Sequence, residues 1–177
     1  MDTLIFDTGP LSCFARADVL GVLKVVVGDR RAVVPEAVVT ELERGVHLHS
    51  RLQTVLDADW IEHRAIATTA EAKAFARFAA RLVSGDRNVG EAAVLALAQT
   101  VPARAVVDDR AACALARKAR IDFTRTLNLL SEAIHSGLLM LEFASGIADE
   151  LIQTKYRLPF GRGGFKAWAA RQGLFSE

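Results

Sequence analysis

Five carboxylates in this chain stand just beyond short apolar runs. Asp7 closes TLIF, Glu41 lies in the PEAVVTEL that follows AVVP, Glu91 opens VGEAAVLALAQT, and Asp108 and Asp109 close ARAVV. Each has an ordinary explanation. Asp7 accepts hydrogen bonds from the turn that starts the next helix or Thr8 caps it, and Asp109 caps RAACALARKAR. Asn88 with Glu91 three positions on approximates a capping box, and a first-turn carboxylate is favoured by the helix dipole. Glu41 flanks the apolar face of Val38, Val39 and Leu42, where solvation alone would satisfy it. Their joint occurrence at one sheet edge asks for a common cause. Carboxylates gathered within a few ångströms raise one another's pKa and stay ionised together only around a cation. No histidine or cysteine joins them at ligand spacing, which favours a hard, oxygen-seeking ion, Mg²⁺ or Mn²⁺. Such an ion activates a bound water and neutralises phosphodiester charge, and two ions about 3.5–4 Å apart serve the attacking and leaving oxygens. Phosphodiester hydrolysis is the chemistry this residue set suits.

The elements between the acids decide whether they meet. Thr3–Phe6, AVVP, Trp60–Ile66, ARAVVDD and IDFT read as short strands. LSCFARADVLGVLKVVV reads as one or two helices, and PEAVVTEL, HLHSRLQTVLDA, TAEAKAFARFAARLV, VGEAAVLALAQT, RAACALARKAR, TLNLLSEAIHSGLLM and LEFASGIADELIQ as further ones. Pro35 is placed to start its helix, because its missing N–H is an orphan there. Strands alternating with helices imply a parallel sheet between two helical layers, since each parallel neighbour needs a crossover that packs on a sheet face. Ligands of such sheets bind at the carboxyl ends of the strands, where these acids fall.

The totals bound the reading. A chain of 177 residues, 51% of them apolar, suits one domain with a real core, or one domain with an appendage. Lys and Arg number 22 against 21 Asp and Glu, so nucleic-acid binding has to come from local patches. No apolar stretch is long enough for a membrane span and no secretory leader is visible, so a cytoplasmic protein with no membrane partner is expected. Cys13 and Cys113 lie far apart without CxxC spacing and read as small core residues.

Four motifs in order, FDTGPL, VPEAVVTEL, GEAAVLALA and VVDDRAACALA, resemble the PIN-domain family over roughly residues 1–140, particularly its VapC-type toxin branch. The resemblance implies a three-layer α/β/α PIN-like fold with a central parallel sheet, and a metal-dependent ribonuclease, often the toxin half of a toxin–antitoxin pair. It puts the family's acids on Asp7, Glu41, Glu91 and the Asp108–Asp109 pair, with Asp109 preferred by register and Asp108 the alternative, and puts the family's small hydroxyl on Thr8. Glu91 stands where the toxins often carry aspartate; its greater length implies contact through water. The resemblance also implies an RNA substrate, a small antitoxin partner and pairing into homodimers. The competing reading is a non-catalytic PIN-like module binding RNA or protein, and a weaker one a phosphatase.

The remaining signals are slighter. His47 and His49 would splay apart on a helix, and His63 and His135 are lone. No GxGxxG or Walker sequence supports a nucleotide cofactor. The sequence divides at 1–150, the nuclease domain, and 151–177, an extension. There Lys155, Arg157, Arg162, Lys166 and Arg171 alternate with Tyr156, Phe160, Phe165, Trp168 and Phe175, and Gly161, Gly163 and Gly164 suggest a flexible arm. That mixture suits RNA phosphates and bases, a protein partner, or a helix covering the sheet edge.

Overall fold

Buried on both faces, the strands of a parallel sheet carry near-continuous apolar side chains rather than alternating ones. In the computed structural model, which describes residues 2–85 and 87–173, β1 (Thr3–Phe6) has this character, with Leu4, Ile5 and Phe6 all buried. It lies at the centre of a sheet that is parallel throughout. Among the described residues the sheet has five strands, in the order β3-β2-β1-β4-β5, with β2 at Arg31–Pro35, β3 at Ile61–Arg64, β4 at Arg104–Val106 and β5 at Phe123–Thr124. Phe6 stands opposite Val106 in the register of β1 and β4. The residues that follow these two strands therefore leave the sheet side by side.

Helices α1 (Thr8–Arg16) and α2 (Leu20–Val27) link β1 to β2. They are two helices because Asp18 takes a left-handed φ of 62°, a conformation that Asp tolerates better than most residues. Pro35 ends β2 and is the N-cap of α3 (Glu36–Val46), one position earlier than its predicted place inside the helix. The HLHSRLQTVLDA segment forms no single helix. His47 caps the end of α3, His49 precedes a 3-10 turn at Ser50–Leu52, and α4 covers only Gln53–Leu56, so the two histidines share no helix face. Helix α5 (Thr69–Leu82) begins with a complete capping box in which the Thr68 side chain accepts from Glu71 N and Glu71 reaches back to Thr68 N.

Helix α6 (Val89–Thr100) lies against β1, β2 and β4, and α5 packs along it. Its side chains from Ala92 to Ala98 are all buried. The alanines let the helix approach the sheet closely while α5 covers its other side. Helix α7 (Arg110–Lys118) connects β4 to β5. On the far side, α1 and α2 pack with α8 (Thr126–His135) and α9 (Leu141–Gln153). The architecture is a three-layer α/β/α sandwich. Cys13 and Cys113 are free and buried, as their spacing predicts.

The basic, aromatic tail is not a loose arm over its described part. Helix α10 (Phe165–Arg171) packs on α9 rather than on the sheet edge, with Phe165 and Ala169 buried and Phe160, Phe165 and Trp168 clustered in edge-on and tilted pairs at ring separations of 5.6–5.9 Å. Lys155, Arg157, Arg162, Lys166 and Arg171 are exposed, while Phe175 lies outside the described residues.

Candidate active site

Asp7 follows the central strand, and its N–H donates to Val106 O at 3.1 Å, which fixes it beside the end of β4. It occupies the N-cap position of α1, yet its side chain makes no capping bond. The residue is only 5% exposed, and Oδ1 is buried without a hydrogen-bond partner. A buried carboxylate left so is costly when ionised. Burial pushes the Asp7 pKa well above the ordinary carboxylate range; the charges of Glu91 and Glu41 push the same way, and the backbone amides of Thr8 and Gly9 oppose them.

Glu41 is not a solvated helix residue. Its Oε2 accepts from the Thr8 hydroxyl and its Oε1 accepts from Gly90 N at 2.9 Å. One carboxylate on α3 thereby ties the first residue of α1 to the N-terminus of α6. Only glycine permits this approach at position 90, where a Cβ would stand 2.9 Å from Oε2 and 3.0 Å from Val38 Cγ2.

Glu91 is freed from capping by the geometry of Asn88. That residue adopts a left-handed φ of 64°, makes no cap bond, and gives its Nδ2 to Leu82 O at 2.9 Å. Glu91 lines a cavity of about 450 Å³ with Glu41, Ser84, Arg87 and Asn88. Burial raises its pKa, its own backbone amide opposes the rise, and the charges of Glu41 and Asp109 add to it.

Asp109 and Asp108 part company. Asp109 is the N-cap of α7, its Oδ1 accepting from Ala112 N at 2.9 Å, and is exposed on the side that Glu91 senses. Asp108 turns inward instead. Its Oδ1 accepts from Thr126 N at 3.1 Å, and its Oδ2 accepts from the Thr126 hydroxyl at 2.6 Å and from the Tyr156 hydroxyl. The structure thus gathers Asp7, Glu41 and Glu91 with Thr8 between them, places Asp109 on their margin, and commits Asp108 elsewhere. Tyr156, Thr126 and the Gly90 amide are participants that sequence reasoning missed. Tyr156 carries no local signal, since its partner is 48 positions away.

A family model described as a PIN domain matches residues 3–161, from β1 past the end of α9. The chain belongs to the PIN-domain family. PIN domains are generally nucleases and typically use divalent metals, and no curated protein matches this chain. The PIN match includes Tyr156 and reaches further along the chain than the motif resemblance over residues 1–140. Whether this PIN site suits a divalent ion turns on its donors. Among the described residues no three His, Cys, Asp or Glu side chains form a group able to hold an ion directly. The orphaned Oδ1 of Asp7, in the field of two further carboxylates, nonetheless lacks the counter-charge that a cation supplies. Mg²⁺ is commonly held by one or two carboxylates and several waters, and the donor set fits that mode. No helix among the described residues is long and apolar enough to cross a membrane.

Proposed function

We propose that this PIN domain is a Mg²⁺- or Mn²⁺-dependent endoribonuclease that hydrolyses RNA phosphodiester bonds in the cytoplasm, as the toxin of a type II toxin–antitoxin pair. The observation that carries the metal dependence is the buried, unpartnered Asp7 Oδ1 in the field of Glu41 and Glu91. Asp7 and Glu91 would hold the ion, Glu91 through water, and Asp109 would orient a water at the margin. Bound there, a divalent ion supplies an acidified water and charge neutralisation at the phosphate. Glu41, occupied by Thr8 and Gly90, fixes the spacing of α1 and α6 and presents its negative field to the site. Thr8 keeps Glu41 in place, and the exposed Arg87 on the same cavity offers a cation to a substrate phosphate. Asp108 is proposed here as a structural anchor rather than a ligand, because three hydrogen bonds engage its two oxygens.

The deciding experiment is RNA cleavage by wild type and Asp7→Asn with Mg²⁺ or Mn²⁺, with and without chelator. Metal-dependent cutting by wild type alone supports the proposal. Cutting by neither favours the non-catalytic binding module, and equal cutting by both marks a contaminant. An antitoxin for so acidic a site would insert an arginine or lysine beside Asp7, and its affinity should fall when Asp7 is neutralised. Unchanged affinity for Asp7→Asn would remove that insertion model.

A further inference from the structure

We infer that Tyr156 is a positioning residue: through Asp108 it fixes the loop that carries Asp109 toward the site. The inference rests on the site proposed above. The loop leaves β4 with its backbone already tied on one side, Val107 N donating to Thr124 O at 3.1 Å. Asp108 then receives hydrogen bonds from two other elements, from Thr126 at the first turn of α8 and from Tyr156 in the segment after α9. The Tyr156 oxygen is also 3.2 Å from the Thr126 hydroxyl, so the three groups close into one network. The segment bearing Tyr156 is anchored in turn, since Arg16 of α1 donates to Thr154 O at 2.8 Å.

The consequence for Asp109 follows from the different partners of the two side chains. Asp109 has an extended backbone, φ −62° and ψ 135°, and its Oδ1 accepts from Ala112 N of α7 while both Asp108 oxygens are taken by Thr126 and Tyr156, so the neighbouring side chains face different elements. An Asp108 held inward leaves Asp109 facing out, where it caps α7 and bears on Glu91. Loss of the Tyr156 hydroxyl removes one of the donors that hold Asp108 inward. The site thus depends on a residue far in sequence from each of the site's acids, in the part of the chain for which RNA binding, partner binding or a helix over the sheet edge was expected.

Tyr156→Phe tests this in the full chain, because it removes the hydroxyl and keeps the ring. Three quantities are read: amide hydrogen exchange of residues 107–113, Mn²⁺ affinity by calorimetry, and the split of RNA cleavage into kcat and KM. A hydrogen bond to a charged group is strong enough that exchange in this segment should quicken about 10-fold or more. Mn²⁺ should bind at least about threefold more weakly and kcat should fall with KM little changed, on the same hydrogen-bond scale. Thr126→Val should reproduce the effect, and the double variant should add little to either. Trp168→Phe, which loosens the aromatic cluster of the tail without touching Asp108, should leave Mn²⁺ affinity unchanged. Wild-type exchange at 107–113 in Tyr156→Phe overturns the inference, as does wild-type Mn²⁺ affinity despite faster exchange. A wild-type chain that itself binds no Mn²⁺ overturns the site reading and this inference together, a failure recognisable because it precedes any substitution.

Discussion

Gly90→Ala is the sharpest test of how the site is built, because helix propensity and site geometry predict opposite signs. Alanine in place of a helical glycine ordinarily stabilises by roughly 0.5–1 kcal/mol. At Gly146, in α9 with nothing within 4 Å of an added methyl carbon, that gain should appear unopposed. At Gly90 the methyl would lie 2.9 and 3.1 Å from the two Glu41 oxygens and 3.0 Å from Val38 Cγ2. The Glu41 carboxylate has to swing away, which breaks its 2.9 Å bond from Gly90 N and disturbs the one from Thr8. A hydrogen bond to a charged acceptor contributes about 1.5–3 kcal/mol, so after the propensity gain the net cost is roughly 0.5–2.5 kcal/mol. For a domain of this length that lowers Tm by about 1–10 °C. Thermal unfolding of wild type, Gly90→Ala and Gly146→Ala in chelator gives the stability order, and metal-dependent RNA cleavage gives the functional one. Gly146→Ala should melt above wild type with full activity, and Gly90→Ala below it with activity much reduced. If Gly90→Ala gained stability as Gly146→Ala does, the Glu41 tie between α1 and α6 would not exist in solution.

Asp7→Asn should abolish cleavage yet raise the stability of the metal-free protein by about 0.5–2 kcal/mol, as neutralising a strained active-site charge commonly does; a lower Tm would contradict the burial argument. Because the folded state raises the pKa values of Asp7 and Glu91, it binds more protons than the unfolded chain above the ordinary carboxylate range. The contribution of these two groups to metal-free stability should therefore be fully present below that range and be lost as pH rises through the raised values, while Glu71, whose pKa the Thr68 and Ala67 amides lower, contributes in the opposite sense. Melting in chelator across this window should show the slope in wild type and a flatter one in Asp7→Asn. On the proposed function, Mn²⁺ would supply the missing counter-charge to the folded state, so it should raise Tm in proportion to RT ln(1 + [L]/Kd), more at neutral than at acidic pH. Equal Tm shifts at both pH values would place the ion away from Asp7. Thr8→Val removes the hydroxyl that holds Glu41 and should reduce cleavage while leaving the fold intact by circular dichroism.

The sheet was legible because its strands are short, buried and branched, and because alternation with helices leaves few alternatives to a parallel arrangement. Runs such as TLIF and AVV are too short for helices and rich in branched residues, which decides for strands where periodicity alone does not. That Asp7, Glu41 and Glu91 fall near one sheet edge follows from the same topology, since Asp7 follows β1, Glu41 lies in the second turn of the helix after β2 and Glu91 is in the first turn of α6. What escaped was decided by tertiary contact. Asp108 and Asp109 are adjacent and identical; register favours Asp109 for the site, but the donors that engage Asp108, on Thr126 and Tyr156, are remote in sequence and left no local trace. Asn88 resembled a cap because its type and spacing fit, but a left-handed backbone took its side chain to Leu82 instead. The HLHSRLQTVLDA pattern suggested one helix because side-chain periodicity carries no record of where a backbone tightens into a 3-10 turn.

Placement of β1 between β2 and β4 bears on how the protein is made. β1 acquires its second neighbour only once Arg104–Val106 has been translated, and Asp108 meets Tyr156 later still. At roughly 5–20 residues added per second, a nascent chain spends seconds with its acids on disconnected segments. On the proposed function, an incomplete polypeptide has no assembled centre with which to cut its own message or the translating ribosome, and that immunity during synthesis would come from strand order together with the late arrival of Tyr156.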